Sequence, residues 1–345
     1  MARRRTHRHT HADKKALMLR AVCLFCLFMI VLVGIWLGGQ KIESINSKQQ
    51  IRGDVRDRLD EGEIVEYKGS EYRRRNRQTA ILFMGVDQRN DQEQSELSYR
   101  NGGQADFLLL LLIDDDLKRV TPVQIDRDTM TEITVLGVLG NPSGTRKAQI
   151  CLSHGFGDGK EQSCQFTVDA VSKLLLGVDI DFYVMMNMDG ISVMNDFLGG
   201  VTVTLEDDFS ALDPTMTEGT TLTLKGEQAE YYVRNRMNIG IGTNESRMAR
   251  QRTYMAVAGD IMDQKFRENA SYAGDLYDEL EDYLITDMKR GRMINEAANC
   301  KGYDRTETVF LEGEHAIGED GFMEFHANET ALEELVMDLF YEPFE

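Results

Sequence analysis

Proline, tryptophan and histidine are scarce in this 345-residue chain, which has four Pro, one Trp and six His. Four Pro beside 30 Gly exclude a collagen-like, Pro-rich or low-complexity chain. The histidines are scattered, and His7, His9 and His11 fall in the first dozen residues. That leaves no histidine cluster for zinc and no support for a Ser-His-Asp mechanism. A G-x-x-x-x-G-K-[ST] loop and a G-x-S-x-G elbow are both missing, which argues against a P-loop ATPase and an α/β-hydrolase. Positive charge is in deficit: 39 Lys+Arg face 58 Asp+Glu, for a net charge of -19. A phosphate backbone needs a basic face, so nucleic acid is excluded as a partner. No repeat at solenoid spacing is present. What remains is ordinary globular composition, 42% hydrophobic and 28% charged, with length for a substantial core.

Long apolar runs are absent with one exception. Ala21 to Gly39 is uncharged and long enough to span a bilayer core as a helix. Before it, residues 1–20 hold Arg3, Arg4, Arg5, Arg8, Lys14, Lys15 and Arg20 against the single acid Asp13. The positive-inside rule then places residues 1–20 in the cytoplasm as a basic tail, residues 21–39 as a single-pass anchor in the cell membrane, and the rest outside. The rival reading, a cleaved signal peptide, is disfavoured by the length of the run and the lack of a small-x-small site. Outside the anchor, Cys151 and Cys164 flank a Gly-rich loop and read as a short-span disulfide, against the alternative of two buried free thiols. Cys300 is left unpaired.

Residues 40–77 are polar and end in EYRRRNRQ, reading as a partly helical extracellular stalk. A folded domain follows over 78–345. AILFMGVD is a buried strand that delivers Asp87, and ADFLLLLLI is a central strand opening on Asp106. VTPVQIDRDT is a third, ending at Arg127 and Asp128. Helical spacing covers Cys164 to Leu176 and Gly190 to Leu198, the latter stopped by Gly199-Gly200. DIDFYVMMNM and VTVTLED are strands; LKGEQAEYYVRNR and SRMARQRTYMAVAGDIM are helices. Asn328-Glu329-Thr330 starts a last helix. Strands and helices interleave, which gives an α/β (α+β) class with a central mixed β-sheet flanked by helices.

Two anomalies point to a site. Arg234, Arg236, Arg247, Arg250 and Arg252 fall within nineteen residues that hold no Lys, in an acidic chain. Arginine is suited to planar, bidentate grips on phosphate, although surface pairing with acids is the plain alternative. Acids at strand ends, Asp87, Asp106, Asp126 and Asp128, are the second anomaly, because strand ends are where α/β sheets build sites. Carboxylates there can share Mg²⁺ with substrate phosphates, while a lone Asp is more often a turn or cap residue. His154 reads as a structural donor in its loop.

The pieces ILFMGVDQR, ADFLLLLLIDDD, VTPVQIDRDT, LLLGVDIDFYVMMNMDGISVMNDFLGGVTVTL, LKGEQAEYYVRNR and SRMARQRTYM, in that order, resemble the LytR-CpsA-Psr family over about residues 79–255. The resemblance implies transfer of a glycopolymer, such as teichoic acid or capsular polysaccharide, from a polyprenyl pyrophosphate carrier to peptidoglycan. It implies Mg²⁺ (or Mn²⁺) on Asp87 and Asp106, and an arginine clamp of Arg127, Arg234, Arg236, Arg247 and Arg250. Gln251 matches a polar position beside the clamp, and Arg89 a phosphate-side position. An apolar tunnel for the prenyl chain is also implied, with 105–113, 182–188, Met185, Met186, Met188 and Met194 as its wall; plain core packing explains those residues equally well.

Three positions depart from the family pattern. Gln104 replaces an Arg two residues before the second metal acid, Asp126 replaces a Pro before Arg127, and Asn244 replaces an acid three residues before Arg247. Gln104 and Asn244 permit a rival of another class, a membrane-anchored sensor that binds polyprenyl-linked precursors without turnover; a polyprenyl pyrophosphate hydrolase is a second enzymatic alternative. The segment EITVLGVLGNPSGTRKAQIC reads as an insertion without an assigned role.

Overall fold

The computed structural model describes residues 64–89, 102–137, 140–236, 239–240, 242–269 and 271–344. The basic tail, the anchor at 21–39 and the stalk before residue 64 lie outside the described residues. Among the described residues no helix is long and apolar enough to cross a membrane. The described part of the stalk is a hairpin, where partial helix was expected. β1 (Ile64–Tyr67) and β2 (Ser70–Arg74) pair antiparallel about Lys68-Gly69, both at positive φ. Adjacent left-handed residues match the twist that a two-residue hairpin needs. This hairpin belongs to a small unit of its own.

The second unit, residues 77–343, is built on β3 (Gln78–Val86), β4 (Ala105–Asp114), β5 (Arg119–Ile125) and β8 (Phe182–Asn187). Between β5 and β8 the chain makes the hairpin β6 (Met130–Leu136) and β7 (Pro142–Gln149), then α1 (Leu152–Gly155) and α2 (Glu161–Leu174). The apparent insertion is therefore this hairpin. After β8 come α3 (Asp189–Phe197), the short pair β9 (Thr202–Thr204) and β10 (Thr221–Thr223), α4 (Glu227–Arg234) and the long α5 (Asn244–Glu268). The chain closes through α6 (Tyr272–Leu280), β11 (Leu284–Thr286), α7 (Arg290–Asn299), β12 (Asp304–Arg305), β13 (Val309–Phe310), the hairpin β14 (Gly313–Ile317) and β15 (Met323–Ala327), and α8 (Glu329–Phe340). Asn328 caps α8 as expected, accepting from the Thr330 and Ala331 amides.

The central sheet runs β11-β8-β3-β4-β5-β12, with β13 also on β5. β3 pairs antiparallel with β4 and parallel with β8, and β4 pairs antiparallel with β5, so the sheet is mixed. One face carries Leu82, Met84, Leu108, Leu110, Leu112 and Val123, packed against α2 and α8. The other carries Ile81, Ile113 and Val184, with Met288 and the partly buried Met293. A second core gathers Val203, Leu205, Phe209, Tyr232, Tyr254 and Ala258 from β9, α4, α5 and the chain between them. The register brings the C-terminal ends of β3, β5 and β8 and the N-terminal end of β4 to one edge of the sheet: Val86 faces both Ala105 and Asn187, and Leu108 faces Ile125.

Candidate active site

That edge holds the strand-end acids. Asp87 follows β3, and Gly103 at φ +66 turns the incoming chain so that the Gln104 amide donates to Asp87 Oδ1 at 2.5 Å. A Cβ at Gly103 would lie 3.0 Å from that oxygen, so the turn admits little else. Asp106, second residue of β4, is bracketed by two guanidiniums. Arg127 Nη1 donates to Oδ1, and Arg247 Nη1 donates to Oδ2 at 3.3 Å. Arg127 also donates to Gln104 Oε1 at 2.5 Å and to Cys151 Sγ at 3.2 Å, and its Nε lies 3.3 Å from Asp128 Oδ1. Gln104 therefore partners the first clamp arginine directly.

The electrostatics of this edge are unbalanced in a specific way. Burial raises Asp87 above the ordinary carboxylate range; the Gln104 amide opposes the rise, Asp106 adds to it, and Arg127 and Arg234 lower it. Burial likewise raises Asp128, assisted by Asp126. Arg247, only 3% exposed, is held below the usual guanidinium range by burial. Asp106 opposes that shift, while the neighbouring charges of Arg127 and Arg236 reinforce it. The Nε atoms of Arg127 and Arg247 have no hydrogen-bond acceptor. Arg247 thus stands against the charges of Arg127 and Arg236 with one donor unmet, a situation that an entering anion relieves.

An apolar cavity opens beside them. It is lined by Gly85, Phe107, Met186, Met188, Ile191, Met194, Val233, Tyr254 and Met255, and its polar mouth by Asp106, Arg234, Arg247 and Gln251. Its water-accessible space is about 90 Å³, a slot narrower than most ligand pockets. Gly85 keeps the floor low, since a Cβ there would touch Phe107 Cβ at 3.0 Å.

The site residues read from sequence divide into groups. Asp106, Arg234, Arg247 and Gln251 meet at the mouth, Arg127 joins them through its bond to Asp106, and Asp87 is coupled to Asp106 and Arg127. Arg236 acts on Asp128 and Arg247 through its charge. Arg89 reaches Asp189 at 2.7 Å and Glu230 at 2.5 Å, and Glu230 also holds Arg234 at 3.2 Å. Arg250 does not join the clamp. Its guanidinium donates to the carbonyls of Tyr232 and Asn235 and to Asp207, and it lies over the Phe209 ring, which places it in the second core. Its role is to tie down the end of α4, from which Arg234 and Arg236 emerge.

Three further expectations need correction. Cys151 and Cys164 are free and buried, and both thiols are pushed up to about 12 by burial. Cys151 faces Arg127, while Cys164 lies 3.8 Å from His154 Nε2. Met185 packs in the core behind the sheet and not in the cavity, because successive strand residues point to opposite faces. Of the 105–113 strand only Asp106 and Phe107, at its N-terminal end beside the β3 register shift, reach the cavity. His154 is a structural donor, as expected: its Nδ1 bonds the Gly102 carbonyl, and burial lowers it to about 4. Sequence reasoning missed Glu230, although its i, i+4 spacing to Arg234 was a readable signal. It also missed the bonds joining Asp126, Asn244 and His315, which depend on contacts between distant segments.

A model of the LytR-CpsA-Psr family matches residues 41–340. The chain belongs to the LytR-CpsA-Psr family. Among its relatives is a polyisoprenyl-teichoic acid–peptidoglycan teichoic acid transferase, TagU, of Halalkalibacterium halodurans. It is 26% identical over 83% of this chain and 88% of the relative. The TagU of Bacillus subtilis is 26% identical over 75% and 76%. The fold is shared with the crystal structure of B. subtilis TagV, at a TM-score of 0.59 and 22% identity over 76% of this chain and 96% of that one. It is also shared with TagT bound to LI-WTA, at a TM-score of 0.56 and 20% identity over 76% and 89%. The mixed sheet flanked by helices is thus the family's architecture.

Proposed function

We propose that this family member transfers a glycopolymer of the teichoic acid or capsule type from a polyprenyl pyrophosphate carrier to peptidoglycan at the cell membrane. The observation that carries the reading is a set of under-satisfied guanidiniums at the mouth of a Met-lined apolar cavity. A ligand with a diphosphate head and a hydrocarbon tail answers both halves. Methionine suits the lining because its unbranched side chain repacks around an irregular guest, and the narrow slot must widen to admit a prenyl chain. TagU relatives, named as teichoic acid transferases, support the same class of reaction.

The donor set fits a hard cation. Asp87 and Asp106 are near enough that Asp106 raises Asp87, a repulsion that a shared cation would relieve. Among the described residues no third carboxylate, His or Cys joins them. That is the sparse set Mg²⁺ uses when phosphates complete its shell. Asp87 and Asp106 would hold Mg²⁺ (or Mn²⁺), which would neutralise charge developing on the diphosphate. Arg127 and Arg247 orient the same diphosphate from the buried side, and Arg234 from the open side. An acceptor hydroxyl of peptidoglycan attacks the sugar-linked phosphorus, and its bond to polyprenyl phosphate breaks. One of the strand-end carboxylates, free or metal-linked, accepts the hydroxyl proton.

The test uses the full chain with a polyprenyl pyrophosphate-linked glycopolymer and peptidoglycan, in Mg²⁺ and then in EDTA. Transfer with release of polyprenyl phosphate is expected in Mg²⁺ alone. Binding without release would support a sensor, and release without a glycan–peptidoglycan bond would support a hydrolase. An Arg127→Ala protein that transferred at the wild-type rate would remove the clamp from the mechanism.

A further inference from the structure

Behind Arg247 runs a chain of polar contacts that the transfer reaction does not by itself require. Arg247 Nη2 donates to Asn244 Oδ1 at 2.7 Å. Asn244 Nδ2 donates to Asp126 Oδ1 at 2.8 Å, and Asp126 Oδ2 lies 2.9 Å from His315 Nε2. The Asp128 amide adds a bond to Asp126 Oδ1 at 2.8 Å. The elements are far apart in sequence: Asp126 follows β5, Asn244 and Arg247 share the first turn of α5, and His315 is on β14. Asp126 and Asn244 are buried.

The orientation of the Asn244 amide is fixed by the chemistry of its neighbours. A guanidinium only donates and a carboxylate only accepts, so the amide must turn its oxygen to Arg247 and its nitrogen to Asp126. With an apolar residue at 126, the amide would be held only by the guanidinium it is meant to position and by a weak contact of its NH₂ with Met248 Sδ at 3.6 Å. The family pattern places an acid three residues before Arg247. In this chain the carboxylate stands one link further back, on Asp126, and is relayed through an amide.

We infer that Asp126, acting through the Asn244 amide, is a positioning residue for Arg247 in the site read above as binding the diphosphate. His315 anchors the outer oxygen of Asp126 and completes the relay. Asp126 neither bonds Asp106 nor lines the cavity; it also acts on Asp128, beside Arg127, so the Arg247→Gln background is what separates the two routes.

Binding of farnesyl pyrophosphate to the full chain in detergent, followed by calorimetry, tests this. Asp126→Leu keeps roughly the size of the side chain but removes the acceptor that holds the Asn244 NH₂. It should weaken binding about tenfold, the size of one charge-assisted hydrogen bond. In an Arg247→Gln background the same change should do nothing beyond about twofold, because the residue it positions is gone. Equal losses in both backgrounds, or a gain in affinity in Asp126→Leu, would overturn the inference.

Asn244→Asp sets a second carboxylate against Asp126 and should weaken binding. Adding Asp126→Ala to it leaves one carboxylate, now directly behind Arg247, and should restore binding. A double variant weaker than either single variant would also count against the relay. The thermal midpoints of the same proteins without ligand give a second readout, with the same recovery expected. If the wild type binds no farnesyl pyrophosphate, the transfer reading is what fails, and the midpoints alone decide the relay: recovery supports it and additive losses refute it.

Discussion

Arg247 and Arg250 lie one turn apart on α5, and both are almost wholly buried, at 3% and 2% exposure. Their surroundings differ. Every nitrogen of Arg250 has an acceptor: two carbonyls at the end of α4 and the Asp207 carboxylate. Arg247 shares Asp106 with Arg127, stands near the charge of Arg236, and leaves its Nε bare. A buried arginine with a complete set of acceptors holds a fold together. One with unmet donors beside other cations is waiting for an anion. Burial and clustering in the sequence do not separate the two cases; hydrogen-bond satisfaction does.

The sharpest way to break this contrast is to remove each arginine in turn. Arg250→Ala leaves Asp207 and two carbonyls without their donor, and should cost about 3 kcal/mol or more of stability, read from denaturant midpoints. Arg247→Ala should lower glycopolymer transfer about a hundredfold or more, as losing a donor to developing charge does. Its stability loss should be smaller than that of Arg250→Ala, because Asp106 keeps Arg127. If the two variants showed the same balance of lost stability and lost transfer, the distinction would collapse.

Asp87 offers a subtler probe. Its folded-state pKa is raised, so the native state binds a proton more tightly than the unfolded chain does. Ionising it therefore costs stability as pH rises from the ordinary carboxylate range through the raised value, and that cost persists at neutral pH. Asp87→Asn should accordingly raise the thermal midpoint at pH 7, with the difference vanishing at acid pH, while transfer is lost. Mg²⁺ should raise the midpoint of the wild type and not of Asp87→Asn. The smallest effect expected is that of a reducing agent: with Cys151 and Cys164 free, dithiothreitol should leave the midpoint unchanged within error.

Much of the frame was legible. The apolar runs at 80–86 and 105–113 and the helix-stop signal at Gly199-Gly200 match β3, β4 and the end of α3, because long buried elements carry strong periodic signals. β11 and β12 were not legible, since so short a strand carries little pattern of its own and is defined by its partner. Asp106, Arg127 and Arg247 were identified and do meet. Arg250 was assigned with them because motif spacing marks which arginines lie near a site, but not which have already spent their donors. Met185 was misplaced by one step of strand alternation. The Cys pairing failed because proximity in sequence does not set the direction of two thiols. Asp126 and Asn244 looked like two separate losses of pattern, and only the folded contact shows that they answer one another.

The outer strands of the central sheet carry a consequence for the protein in company. β11 has three residues on one margin, and β12 and β13, of two residues each, share the other in turn. An intruding strand needs a continuous row of unpaired amides and carbonyls to copy. These margins break that row into fragments, and the charged pair Asp304-Arg305 makes up one of them, so the long Leu-rich strand at the centre is shielded from edge-to-edge aggregation.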